Sequence, residues 1–157
     1  MSETLYRHIG CCMDDSEAAQ VALAHARALW IPGRVRLSLV HVAPRPLIFE
    51  SVGGSEVPSP RDINSTQRAW LERRAREIPG SVPVLLEGLP GPEICRWAAE
   101  GDVDLLVAGA RGAGWTTAVL GSVTRHLVDH APCPVLVVRE DRRARAVHTP
   151  TTSEASS

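Results

Sequence analysis

Short apolar runs alternate along the chain with longer stretches in which hydrophobic positions recur at helical spacing. Residues 5–12 (LYRHIGCC), 34–42 (RVRLSLVHV), 82–87 (VPVLLE), 103–108 (VDLLVA) and 134–139 (PVLVVR) read as strands. Residues 17–30, 64–78, 91–100 and 121–131 read as helices. Punctuation residues support these bounds. Asp15 or Ser16 caps the first helix, Glu17 sits in its first turn, and Pro32-Gly33 ends it. Asn64 or Ser65 caps the second, Pro79-Gly80 closes it, and Arg68, Arg73, Arg74 and Arg76 form its solvated face. Pro92 falls early in the third, where a missing N–H costs nothing. The proline-rich stretch 43–62 reads as a long mobile loop.

The order β-α-β-α-β-α-β-α-β predicts an α/β fold: one doubly wound domain with a five-stranded parallel sheet and helices on both faces, Rossmann-like. The domain is expected over 1–140. Residues 141–157, Arg-rich and then Thr/Ser-rich, read as a disordered tail.

Composition narrows the function classes. A chain of 157 residues with 44% hydrophobic and 22% charged residues suits one globular domain. A net charge of -1 offers no electrostatic footprint for nucleic acid, and 4% aromatics leave little for base stacking. Cys11, Cys12, Cys95 and Cys133 match no zinc or CxxC spacing and read as buried reduced thiols in apolar strands. The N-terminus shows no basic-then-apolar signal segment, and no run approaches the ~18 apolar residues that span a bilayer, so the cytoplasm is the expected compartment.

The chemistry-bearing stretch is 107–124, VAGARGAGWTTAVLGSVT. A buried strand runs into Gly109, Gly112 and Gly114, and Gly121-Ser122 then opens a helix. Glycine permits positive φ and close approach of backbone to a ligand. A helix N-terminus offers unpaired N–H groups and partial positive charge, so the two together suit a phosphate. Hydroxyls of Ser122, Thr124, Thr116 and Thr117 and the charge of Arg111 could assist, and Trp115 could cover a ligand. The stretch is neither a P-loop, having no lysine near it, nor G-x-G-x-x-G after a first strand. His126 and His130 lie four apart on one helix without a third metal ligand, and His41 sits at a strand end; all three read as surface or packing residues, and no metal-ligating set is expected. No nucleophile–base–orienter set or G-x-S-x-G occurs.

These segments resemble the universal stress protein family over about residues 4–139. Gly109-Ala110-Arg111-Gly112 followed by Gly121-Ser122 resembles its nucleotide-binding pattern G-x-x-G, nine residues, G-[S/T], with residues 113–120 giving eight between. Cys12-Met13-Asp14-Asp15-Ser16 resembles [V/P]-x-D-x-S, His41-Val42 an H-V at the second strand's end, and Gly88-Leu89-Pro90 a G-x-P before a helix. The resemblance implies a regulatory protein of the stress response that binds ATP or another adenine nucleotide, with Mg²⁺ as a possible companion. Cys12, Asp14 and Val42 would lie by the adenosine. The amides of residues 109–114 and 121–123, with Gly109, Arg111, Gly112, Gly114, Gly121, Ser122, Val123 and Thr124, would hold phosphate. Hydrolysis would be slow at most, with no positioned base or arginine finger. The same resemblance implies a homodimer through Pro134–Val138. It leaves open a homodimeric interaction module that binds no nucleotide, which the shorter spacing and a second carboxylate at Asp15 favour. A substrate-adenylating enzyme is a third reading, without a recognisable signature.

Overall fold

The structure, a computed structural model, describes residues 4–45, 60–111 and 119–140. Its strands are β1 (His8–Cys12), β2 (Arg36–Ala43), β3 (Val82–Glu87), β4 (Leu105–Gly109) and β5 (Val135–Val138). Its helices are α1 (Glu17–Leu29), α2 (Pro60–Arg76), α3 (Pro90–Glu100) and α4 (Ser122–His130). All strand pairs are parallel, in the order β3-β2-β1-β4-β5. This is the doubly wound α/β arrangement expected from the alternation of apolar runs and helices.

Strand alternation builds two cores. Ile9, Cys11, Leu37, Leu39, Leu105 and Val107 point to one face, where they meet Ala22, Leu23 and Ala26 of α1 and Leu71 and Ala75 of α2. Val40, Val42, Leu106 and Ala108 point to the other, against Ile94 and Ala98 of α3 and Leu127 of α4. Burial on both faces removes the usual polar alternation from β4 and makes it wholly apolar.

At two glycines near the C-terminal end of the sheet a helix comes too close for a side chain. A Cβ at Gly109 would lie 2.7 Å from the carbonyl carbon of Ala18, so α1 sits directly on the end of β4. A Cβ at Gly91 would lie 2.6 Å from the His126 ring, which packs α4 against the start of α3.

Several bounds differ from the sequence expectation for local reasons. β1 starts at His8 rather than residue 5; Leu5 is exposed, and the Asp104 carboxylate accepts from the N–H of Arg7 (2.9 Å) and His8 (3.0 Å). α2 begins at Pro60 rather than 64, so the end of the expected loop is helical. Proline suits the first helical position and Asp62 the first turn. Asn64 and Ser65 are therefore not caps, and the Ser65 hydroxyl donates back to the Asp62 carbonyl (2.8 Å). Of the cysteines, only Cys11 is buried; Cys95 lies on α3 and Cys133 in the connection before β5, not in strands, and all four are free. The remainder of the expected loop and the expected C-terminal tail lie outside the described residues.

Candidate functional site

The topology locates the site. Chain connections leave β1 toward β2 and leave β4 toward β5, so the loops beyond β1 and β4 diverge and open a crevice at the strands' C-terminal ends. A cleft of about 230 Å³ lies there. Cys12, Asp14, Val42, Gly109, Arg111, Gly121, Ser122, Val123 and Thr124 all line it, although they come from four separate parts of the chain. Gly112 and Gly114, with Trp115, Thr116 and Thr117, lie outside the described residues. Met13, Ser16, Ala19, Val40, His41, Pro90, Ile94 and Ala108 complete the wall. Most of these are apolar strand-end or helix-start positions whose patterning predicts burial but not the cavity they face.

The turn after β1 is built by its own polar groups. Met13 N–H donates to the Val40 carbonyl (2.7 Å), holding the turn to β2. One oxygen of Asp14 accepts from Ser16 N–H (2.8 Å) and from the Ser16 hydroxyl. The Ser16 oxygen in turn accepts from Ala19 N–H (3.1 Å), which makes Ser16 the N-cap of α1. Asp15 is exposed and does not line the cleft, so no second carboxylate from this turn enters it. Burial, then the nearby Cys95, Asp14 and Cys133, pushes the Cys12 thiol up to about 12. Cys12 is therefore a neutral wall residue and not a thiolate nucleophile.

Three helix N-termini border the cleft, and they differ. In α1 the Ala19 amide is taken by Ser16, and Glu17 stands in the first turn. In α3, Pro90 and Pro92 lack N–H groups, and Glu93 N–H is bonded to the Leu89 carbonyl (3.1 Å). In α4 the cap is Gly121, with no capping side chain and no acidic residue in the first turn. Gly121 N–H donates to the Ala110 carbonyl (2.9 Å), and Arg125 N–H to Gly121 (2.9 Å). The N–H groups of Ser122, Val123 and Thr124 thus precede the first intrahelical bond and find no partner among the described residues. Ser122, Val123 and Thr124 line the cleft at the positive end of the helix dipole, and Arg111 lines the same region.

Parts of the expected anion cradle are otherwise engaged. The Ala110 N–H donates to the Val138 carbonyl (2.8 Å), and the Gly121 N–H is bonded as above, so neither amide is open. The Thr124 hydroxyl donates to the Gly109 carbonyl (2.7 Å) and tethers α4 to β4. Gly109 does not adopt positive φ, which among described glycines occurs only at Gly33, Gly80 and Gly88. Its missing side chain is filled by Ala18 rather than left for a ligand.

His41, read from sequence as a surface or packing residue, lines the cleft instead. Its Nδ1 lies 2.8 Å from the Met13 carbonyl and its Nε2 3.0 Å from Gln67 Oε1 on α2. The adjacent His41-Val42 motif was the only local signal for it. Among the described residues no three His, Cys, Asp or Glu side chains are grouped to hold a metal ion.

The sequence model of the universal stress protein family matches residues 5–139. The chain belongs to the universal stress protein family. A universal stress protein of Thermus aquaticus is 31% identical over 137 residues, covering 86% of this chain and all of that protein. Universal stress protein UspA from Lactobacillus plantarum superimposes with a TM-score of 0.68 at 26% identity, covering 85% of this chain and 98% of that one. A universal stress protein in complex with cAMP (TM-score 0.56, 19% identity, 85% and 97% covered) shares the fold. So does a family protein from Arabidopsis thaliana with AMP bound (TM-score 0.59, 17% identity, 93% and 97% covered). No helix among the described residues is long and apolar enough to cross a membrane.

Proposed function

We propose that this universal stress protein is a cytoplasmic regulatory protein that binds an adenine nucleotide, ATP included, in the cleft between β1 and β4. The observation that carries the reading is the open N-terminus of α4. Of the three helix starts around the cleft, it alone presents a run of uncapped N–H groups with no competing carboxylate in its first turn. A phosphate group would rest on the amides of Ser122, Val123 and Thr124, with Arg111 supplying charge. The base and ribose would lie toward Val42, Cys12 and the Met13–Asp14 turn, where the walls are largely apolar. Gly112 and Gly114 remain phosphate contacts in the proposal. Solved family members with cAMP and with AMP support this ligand class. Mg²⁺, where it accompanies the nucleotide, would be carried chiefly by phosphate oxygens, since the described residues offer no grouped metal ligands. Hydrolysis would be slow at most, because the two cleft side chains able to act as bases are already engaged, Asp14 by Ser16 and His41 by the Met13 carbonyl and Gln67.

Isothermal titration with ATP, ADP, AMP and cAMP, with and without Mg²⁺, tests the reading. Saturable heat with at least one of them is expected. No heat at millimolar concentrations of any of them would overturn it.

The alternative, a homodimeric module of the same fold that binds no nucleotide, draws on the outer edge of the sheet. β5 is an edge strand of sequence Val-Leu-Val-Val, and Val135, Leu136 and Val137 stay partly exposed. Pairing of the Pro134–Val138 segment with a second copy would cover that edge. Homodimerisation is also compatible with nucleotide binding. Sedimentation equilibrium showing only monomer would remove the dimer from both readings.

A further inference from the structure

α2 supplies no residue to the described cleft wall, yet its Gln67 meets an imidazole that belongs to that wall. His41 projects from β2 between the turn after β1 and the side of α2. The Met13 carbonyl can only accept a hydrogen bond, so the 2.8 Å contact requires the hydrogen on His41 Nδ1. Nε2 meets the Gln67 carboxamide at 3.0 Å. The carboxamide can offer its NH₂ to a neutral ring or its oxygen to a protonated one, so it serves the ring in either state. Trp70, one turn further along α2, meets the imidazole edge-on with ring centroids 5.1 Å apart and planes at 64°. Three contacts from two other elements therefore fix the ring.

What the ring fixes is the start of the ligand-facing turn. The Met13 residue is held at both backbone groups, its N–H by the Val40 carbonyl (2.7 Å) and its C=O by His41. The peptide so anchored leads directly into Asp14, whose carboxylate then organises Ser16 and the cap of α1. We infer that His41 is a positioning residue for the nucleoside end of the cleft and that Gln67 is its orienter. Ligand affinity is thereby set in part by a helix that does not line the cleft. The inference rests on the nucleotide reading of the cleft, and it adds a control point on α2 to that reading.

The test uses the full chain with three substitutions. Gln67→Ala removes the orienter in a helix that tolerates alanine. His41→Phe keeps a ring against Trp70 but removes both nitrogens. His41→Asn restores a short N–H donor near the Nδ1 position. Nitrogen-15 NMR of the imidazole and amide hydrogen exchange are read without nucleotide, and titration with ATP and Mg²⁺ gives affinity. The expected wild-type ring carries its hydrogen on Nδ1. Gln67→Ala weakens nucleotide binding about 3- to 10-fold, the equivalent of one ordinary hydrogen bond. His41→Phe weakens it more, His41→Asn recovers part of the loss, and exchange at the Ser16 and Ala19 amides quickens in step. Unchanged affinity and exchange in both Gln67→Ala and His41→Phe would overturn the inference, as would a wild-type ring without hydrogen on Nδ1. If the wild type binds no nucleotide, the functional reading fails by itself, and the positioning role of His41 stands or falls on the exchange data.

Discussion

Gly109→Ala separates two reasons for having glycine at the end of β4. One is room for a ligand; the other is room for α1. An added Cβ would lie 2.7 Å from the carbonyl carbon, 2.8 Å from the Cβ and 2.9 Å from the carbonyl oxygen of Ala18. Ordinary contacts are longer by more than half an ångström, and two of the three atoms are helix backbone that cannot rotate aside. α1 must therefore shift as a body or β4 must bend. Gly109 does not use positive φ, so no conformational strain is added, and alanine in a strand regains about 0.5 kcal/mol over glycine. Overpacking of this kind costs about 1–3 kcal/mol. The net cost is about 0.5–2.5 kcal/mol, and for a domain of this size each kcal/mol moves Tm by about 2–4 °C, so a drop of roughly 1–10 °C is expected. Thermal unfolding by circular dichroism measures the drop, and nucleotide titration well below the midpoint measures affinity. A variant with unchanged Tm but abolished binding would refute the packing argument and restore Gly109 as a ligand contact.

Other expectations follow from single contacts. Thr124→Val should lower stability by about 1 kcal/mol through loss of the 2.7 Å bond to the Gly109 carbonyl, while Thr124→Ser keeps most of it; paired thermal melts check this, and equal melts would refute it. His8 is buried, with Nδ1 on the Gly101 carbonyl (2.9 Å) and Nε2 facing the Ser38 hydroxyl (2.9 Å), and burial lowers its pKa most, with Arg36 adding to it against the raising effects of Gly101, Asp104 and Asp102. The unfolded chain therefore takes up the His8 proton first: this stability is complete above the ordinary histidine value and declines as pH falls from about 7 toward 5. Urea midpoints across that range should fall, and a rise on acidification would contradict the assignment. Burial also raises the thiol of Cys11, so iodoacetamide at neutral pH should leave it unmodified until denaturant is added; rapid labelling of Cys11 in the folded protein would contradict the buried environment.

The fold was legible because both kinds of signal in it are local. β4 reads as a buried strand from five consecutive apolar or small residues, and Ser16 and Pro32-Gly33 mark the limits of α1 within a few positions. The start of α2 was less legible. Pro60 ends one reading and begins another, because proline both breaks a helix interior and favours its first position. The cleft was partly legible for the same reason: strand ends followed by Asp14, Val42 and Gly109 lie next to one another in any sheet ordered β2-β1-β4. The roles of individual groups were not. The Thr124 hydroxyl reaches the Gly109 carbonyl fifteen positions away, Gln67 meets His41 across twenty-six, and Asp104 clasps the start of β1 across more than ninety. Such pairings are fixed by how helices settle on the sheet, and spacing along the chain carries no trace of them. Gly109 shows the limit most clearly, since the motif predicts a glycine there while the structure supplies a packing reason for it.

The central claim is that phosphate is received by the first turn of α4. Amide-resolved NMR titration with AMP and with ATP–Mg²⁺ tests it most directly. The N–H resonances of Ser122, Val123 and Thr124 are expected to move furthest at the phosphate end and to saturate together with those of Val42 and Asp14. Saturable shifts confined to another face, with those three amides unmoved, would contradict it.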